Sequence, residues 1–132
     1  MDGQEVSRAE VSRALMARYF ADLKEGDLAR HLTEDVVWIN QETGQRINGR
    51  AAVVGFVRAL HVRMGDLRTS TYIVGDDAAM IEGDCMPVAT AETPQRDESK
   101  ERLPYVVVYD LTAGGIAAIR LYMSITRLPP NT

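Results

Sequence analysis

The amino-acid sequence predicts an α+β protein in which helices cover one face of a curved antiparallel sheet. Two observations lead to this prediction: segments with helical periodicity fill the first half of the chain, and segments with strand character fill the second half. A third observation is the run at residues 103–127, which is rich in β-branched and aromatic residues and has two glycines near its centre. This run is predicted to form a long hairpin at the middle of the sheet. A sheet curved around three helices leaves a cone-shaped cavity between the two layers.

Length and charge limit the kind of protein this chain can be. It has 132 residues, enough to bury about two-thirds of its unfolded surface as a single domain spanning residues 1–132. The formal net charge is -4 and there is no basic run, so a nucleic-acid partner is not expected. The single cysteine, Cys85, cannot form an internal disulfide, and no leader or long apolar span opens the chain. We therefore expect a soluble cytoplasmic protein with no membrane partner.

Three helices are predicted in the first half of the chain. Apolar residues recur at intervals of four within residues 5–24, and Gly26 then ends this first helix. Asp27 is the predicted N-cap of a short second helix over residues 28–32. The third helix covers residues 50–64, where apolar residues again form one stripe.

The remaining segments are assigned from their polarity and strand character. They are a strand at residues 36–40, a polar loop at 41–49, two strands at 67–74 and 78–88 that form a second hairpin, and a polar loop at 91–102. Together with the central hairpin, these strands complete the sheet.

Five segments carry a resemblance to the NTF2-like superfamily, in particular to its SnoaL-like and ketosteroid-isomerase-like members. They are residues 15–19 (LMARY), 24–28 (KEGDL), 32–38 (LTEDVVW), 48–53 (NGRAAV) and 119–123 (IRLYM). The resemblance implies a cone in which a curved sheet, wrapped by three N-terminal helices, encloses a pocket. It also implies cofactor-free activities such as those of polyketide cyclases, isomerases and limonene-epoxide hydrolases. The same superfamily contains binding modules and transport factors, so the fold does not by itself define the function.

The resemblance assigns individual positions. In the steroid isomerases a tyrosine of the first helix donates to the developing oxyanion, and Tyr19 falls at that position. Their proton-shuttling aspartate falls at Asn40, which cannot accept and return a proton, and their second oxyanion donor falls near Tyr105.

The limonene-epoxide-hydrolase-like members suggest a second set of positions. Asn40 matches their water-holding asparagine, and Asp84 falls on their water-activating aspartate. Trp38 stands where those enzymes have a tyrosine, Glu82 where they have an arginine, and Leu121 where they have the aspartate that acts as the acid. An epoxide-hydrolase-like enzyme with a modified site is therefore one alternative.

The predicted catalytic residues are Asp84, Tyr19, Asn40 and Glu82. The period of two along a strand places Glu82, Asp84 and Met86 on one face, and the resemblance turns that face toward the cavity. Burial and mutual repulsion would raise the pKa of a carboxylate there, so Asp84 is expected to be the general base, tuned by Glu82. Tyr19 and Asn40 are expected to donate hydrogen bonds to a substrate oxygen. The open alternatives are that the two acids face solvent, that Asn40 caps the next turn and that Tyr19 is a core tyrosine.

A further set of mostly apolar residues is expected to contact the substrate. They are Trp38, Phe56, Leu60, Met86, Tyr105, Val107, Leu121 and Met123. His61 follows Val57 by four positions on the third helix and so could lie at the edge of the cavity. No cluster of His, Cys and Asp has the spacing of metal ligands, and no glycine-rich phosphate loop follows a strand. Neither a metal nor another cofactor is therefore expected.

Two classes of function are consistent with these features. The first is a small cofactor-independent enzyme that performs acid/base chemistry, cyclisation or isomerisation, on a mostly apolar, oxygenated small molecule such as a polyketide-type intermediate. The alternative is a non-catalytic ligand-binding or dimerisation module of the same fold. A homodimer through the outer face of the sheet is expected, because the central hairpin is apolar on both sides while the helices cover only one.

Overall fold

The architecture is seen in a computed structural model that describes residues 7–88 and 101–124. Most of the loop predicted at residues 91–102 and the strand end predicted at residues 125–127 lie outside the described residues. Within them the chain forms two layers, with the helices packed on one face of a six-stranded sheet. The predicted α+β class is confirmed.

Over the described ranges, the helical layer consists of two α-helices and one turn of 3-10 helix. Their bounds are Arg8–Asp22 for α1, Leu28–His31 for the 3-10 turn and Arg50–His61 for α2. Ser7 caps α1, because its hydroxyl accepts from the backbone N–H of Glu10 while the Glu10 carboxylate accepts from the N–H of Ser7. In the described part of the chain, no helix is long and apolar enough to cross a membrane.

Of the three predicted helices, the second, over residues 28–32, is not an α-helix. Asp27 makes no side-chain cap, and the first strand already begins at Leu32. The four residues between them can close one 3-10 turn but cannot build the successive hydrogen bonds of an α-helix. Two α-helices therefore cover the sheet.

The sheet is mixed rather than wholly antiparallel. Its strands are β1 (Leu32–Asn40), β2 (Arg46–Asn48), β3 (Met64–Val74), β4 (Ala78–Pro87), β5 (Leu103–Thr112) and β6 (Gly115–Tyr122). Their spatial order is β2-β1-β6-β5-β4-β3, and every neighbouring pair is antiparallel except β1 and β6. The long connection from β1 to β6, which includes α2, supplies the crossover that a parallel pair needs. β2 lies inside a segment predicted to be a loop.

β5 and β6 form the predicted hairpin at the centre of the sheet. Val107 on β5 pairs with Leu121 on β6, and Gly115 has φ +127 in the turn, a conformation that L side chains rarely adopt. Every second residue of β5 from Leu103 to Leu111 is buried, while the residues between them are half-buried or exposed. One face of the hairpin therefore belongs to the core, and the other is the outer face of the sheet.

Arg58 holds the two α-helices together at one end. Its guanidinium donates to the backbone carbonyls of Asp22, Leu23, Lys24 and Gly26, at the end of α1. These carbonyls have no partner within the helix, so a cation from α2 satisfies them. This contact sets the position of the C-terminal end of α1 above the sheet.

Candidate functional site

An apolar cavity of about 400 Å³ lies between the inner face of the sheet and the two α-helices. The helices contribute Tyr19, Phe20, Leu23, Val57, Leu60 and His61 to its lining. The sheet contributes Trp38, Met64, Leu67, Thr69, Tyr72, Ile81, Tyr105, Val107, Tyr109, Ile119 and Leu121. Leu67 and Tyr72 are 41% and 42% exposed. The cavity therefore opens along β3, the edge strand on that side.

Several residues expected to contact a substrate lie in this wall. They are Trp38, Leu60, Tyr105, Val107 and Leu121. Phe56 lies against Trp38, with 4.3 Å between ring centroids, and Met123 is buried in the core but is not among the described lining residues. Their contact with a substrate stays a prediction.

Asp84 lies on the opposite face of the sheet from the cavity. In the register of β4 with β5, Ile81 pairs with Val107 and Gly83 pairs with Tyr105, and these residues face the helices. The alternating positions Glu82, Asp84 and Met86 therefore point outward, where Glu82 is exposed and the side chain of Asp84 is 41% exposed. The expectation that this face turns into the cavity is corrected, because the small and apolar positions of β4 take the buried side.

Arg102 binds the Asp84 carboxylate on that outer side. Its guanidinium also donates to the carboxylate of Asp66, with Nη1 2.9 Å from Oδ2. The bond to Asp84, followed by that to Asp66, raises the pKa of Arg102. Asp66 has φ +43, a rare conformation for a residue other than glycine, at a point where β3 and β4 shift register. The cluster therefore joins the start of β5 to an irregular segment of β3.

Two buried tyrosines place hydroxyl groups in the cavity. The hydroxyl groups of Tyr19 on α1 and Tyr109 on β5 influence each other electrostatically, and the two rings meet edge to face with 5.5 Å between centroids. Burial raises the pKa of both hydroxyl groups, so they stay protonated at neutral pH. A protonated hydroxyl can donate a hydrogen bond to a ligand, which agrees with the predicted donor role of Tyr19 but does not test it.

Tyr105 and Thr69 both line the cavity and pair with Gly83 from the two neighbouring strands, β5 and β3. Burial raises the pKa of Tyr105, so it too stays protonated. Gly83 makes room for this arrangement. A Cβ atom at Gly83 would lie 3.1 Å from the Tyr105 hydroxyl and 1.9 Å from the backbone oxygen of Arg68.

Asn40 is fully buried at the end of β1. Its side-chain oxygen accepts from the backbone N–H groups of Glu42 at 2.8 Å and Thr43 at 3.3 Å, so the asparagine caps the turn that follows. Its side-chain nitrogen finds no hydrogen-bond partner among residues 7–88 and 101–124. The turn-capping alternative thus describes the oxygen, and donation to a substrate by the nitrogen stays a prediction.

His61 is the one imidazole among the described lining residues. It is half-buried at the end of α2, and burial, followed by the nearby charge of Lys24, lowers its pKa. The side chain is therefore neutral at pH 7. Its position was indicated only by its spacing from Val57 on the apolar stripe of the helix.

The other nucleophilic and metal-binding side chains add little to this site. Cys85 is buried, and burial raises the pKa of its thiol, which keeps the thiol in its less reactive form. Within residues 7–88 and 101–124, no group of three or more His, Cys, Asp or Glu side chains is arranged to hold a metal ion. Hydroxyl groups and one imidazole are therefore the main polar chemistry of the described cavity.

Two helices packed on a mixed, curved six-stranded sheet around an apolar cavity define the NTF2-like class of proteins. A family model described as the SnoaL-like domain matches residues 16–119, which is most of the chain. The chain therefore belongs to the SnoaL-like family. Comparison with curated protein sequences finds no significant match.

Solved structures share this fold at low sequence identity. A candidate ketosteroid isomerase from Kribbella flavida is 24% identical with a TM-score of 0.67, over 89% of this chain and 80% of that one. A candidate SnoaL-like polyketide cyclase from Jannaschia is 18% identical with a TM-score of 0.68, over 94% and 93%. A steroid delta-isomerase from Pseudomonas aeruginosa is 12% identical with a TM-score of 0.69, over 92% and 83%. At these identities the likeness establishes the fold alone.

Proposed function

We propose that the protein binds a mostly apolar, oxygenated small molecule in the cavity. The observation that carries this proposal is the composition of the wall, in which aliphatic and aromatic side chains surround a few protonated hydroxyl groups. Cavities of this size, with mainly apolar walls and a few fixed polar groups, are typical of small-molecule sites.

Two kinds of side chain in the cavity wall would contact the ligand. Trp38, Val107 and Leu121 offer apolar surface to the body of the ligand. The hydroxyl groups of Tyr19 and Tyr109 offer a hydrogen bond to a carbonyl or hydroxyl oxygen. Because these hydroxyls are buried, a ligand oxygen that pairs with them is favoured over a hydrocarbon that leaves them unpaired.

The experiment uses Trp38, the single tryptophan of the chain, as a fluorescent reporter inside the cavity. Titration with 2-tetralone, a bicyclic ketone, is expected to change its emission with saturation. Tyr19→Phe should weaken 2-tetralone binding by about two- to tenfold, the value of one neutral hydrogen bond, and should leave the hydrocarbon tetralin unaffected. Leu121→Trp, which fills the cavity, is the matched control and should weaken both, with calorimetry replacing fluorescence for this variant.

If neither 2-tetralone nor tetralin gives a saturable response by fluorescence or by calorimetry, the proposed function is contradicted. Equal weakening of ketone and hydrocarbon by Tyr19→Phe would contradict the assignment of the tyrosine hydroxyls as the oxygen site.

The second candidate function is a cofactor-independent enzyme for isomerisation or cyclisation. It is favoured by hydroxyl donors and a neutral imidazole that line one apolar cavity, since acid/base chemistry on a carbonyl compound needs a proton acceptor and a donor to the oxygen. The names of the Kribbella, Jannaschia and Pseudomonas proteins support the same class of reaction. It is tested by following exchange of the hydrogens next to the carbonyl of bound 2-tetralone for deuterium.

A further inference from the structure

His61 occupies a position where its ring can meet a ligand. It lies in the wall of the cavity three residues before β3 begins, on the same helix as the lining residues Val57 and Leu60. Within residues 7–88 and 101–124 its ring nitrogens form no hydrogen bond that would occupy them. Both ring nitrogens are therefore open to a ligand that enters the cavity.

The charged and titratable groups around His61 favour its neutral form. Lys24, just after α1, is the charge that acts on it, and Arg58 on α2 is bound to the carbonyls at the end of α1. From the sheet, Tyr72 and Tyr109 line the same cavity and are kept protonated by burial. No carboxylate is present among the described lining residues to stabilise an imidazolium.

We propose that His61 is the proton acceptor of the cavity and that its substrate is a neutral ketone with a hydrogen on the carbon next to the carbonyl. This proposal rests on the second candidate function. Glu82 and Asp84 are not candidates, because both lie on the outer face of the sheet.

The proposed reaction moves one proton from the substrate to His61 and back to the substrate. The unprotonated ring nitrogen of His61 forms an N–H bond with the proton on the carbon beside the carbonyl, and the electron pair of the broken C–H bond moves into an enolate. The enolate oxygen accepts a hydrogen bond from the Tyr19 and Tyr109 pair. His61 then returns the proton to the same carbon, or to another carbon of the conjugated system, so nothing is oxidised or reduced. A weakly basic imidazole beside Lys24 returns the proton readily, which suits isomerisation.

The test follows deuterium uptake into 2-tetralone in heavy water by NMR, with Trp38 fluorescence measured on the same samples. His61→Gln is expected to bind the ketone and to lose about a hundredfold or more of the enzyme-dependent exchange rate. Added imidazole should restore exchange in His61→Ala. The wild-type rate should rise with pH through a midpoint below 6.5, the ordinary pKa of histidine, and Lys24→Gln should move that midpoint upward because a repelling charge is removed.

Each outcome separates this proposal from the proposed binding function. Binding by His61→Gln with wild-type exchange overturns the role of His61 and leaves the binding function intact. Wild-type protein that binds 2-tetralone without accelerating exchange has the same consequence. Wild-type protein that does not bind the ketone overturns both.

Discussion

At the scale of single residues, Asp84 is held by Arg102 on the outer face of the sheet, so its loss should not affect the cavity. Asp84→Asn is expected to leave both 2-tetralone binding and deuterium exchange within about twofold of the wild-type values. It should lower the melting temperature only slightly, because the ion pair is partly exposed. Trp38 fluorescence, NMR and thermal unfolding measure these three quantities.

Tyr19→Phe, which removes a hydroxyl from the cavity, is the matched control and should weaken ketone binding in the same assay. A tenfold or larger loss of exchange in Asp84→Asn would return the carboxylate to the mechanism, acting from outside the described wall.

Strand alternation predicted correctly that Glu82, Asp84 and Met86 share one face, but alternation alone cannot tell which face is buried. The signal lay in the intervening residues, since Ile81, Gly83 and Cys85 are apolar or small and fit a core better than two acids do. The amide nitrogen of Asn40, which has no partner in the part of the chain that the structure describes, could not be predicted from sequence, because its pairing depends on which side-chain atom the following turn occupies.

At the scale of the elements, two glycines should respond in opposite directions to the same substitution. Gly83→Ala is expected to destabilise the protein by about 1–3 kcal/mol, because the new methyl group overlaps the Arg68 carbonyl and forces β3 away from β4. Gly55→Ala should stabilise the protein by about 0.5–1 kcal/mol. Gly55 is exposed within α2, and the methyl group added by the substitution would meet nothing within 4 Å.

Chemical denaturation of the two variants and the wild type measures both values. Equal effects of the two substitutions would contradict the close approach of β3 to β4 at Gly83.

The long elements could be predicted from their patterns and the short ones could not. The β5–β6 hairpin and the two α-helices have enough residues to show a period. The 3-10 turn and β2, with four and three residues, do not, and both exist because neighbouring elements hold them in place. The parallel pairing of β1 with β6 depends on the path of the whole chain, which local pattern does not record.

At the scale of the whole molecule, we propose that two copies associate through the outer face of the sheet. Val106, Val108, Met80 and Ile39 give this face apolar surface around the ion pair of Arg120 with Asp110, and within the described residues no helix covers it. Sedimentation is expected to show a particle of twice the mass of one chain at micromolar concentration. Val108→Lys should shift the protein toward monomer, because it replaces apolar contact surface with a second cation beside Arg120.

The matched control is Val62→Lys. Val62 is 63% exposed and lies just after α2, away from the sheet face, so this variant should remain dimeric. A wild-type monomer under the same conditions would contradict the proposal.

The parallel pairing of β1 with β6 also affects how the chain folds while it is being synthesised. β1 is the first strand of the described fold to leave the ribosome, whereas its central partner β6 is the last. Until then the nascent β1 has only the three-residue β2 beside it, and such a short pair is not stable alone. Bringing β1 and β6 together also closes the long segment between them, and this costs chain entropy before the pairing stabilises the fold. The cost slows folding. The sheet can therefore be completed only after β6 has emerged, and β1 spends that interval as an open edge able to pair with other nascent chains.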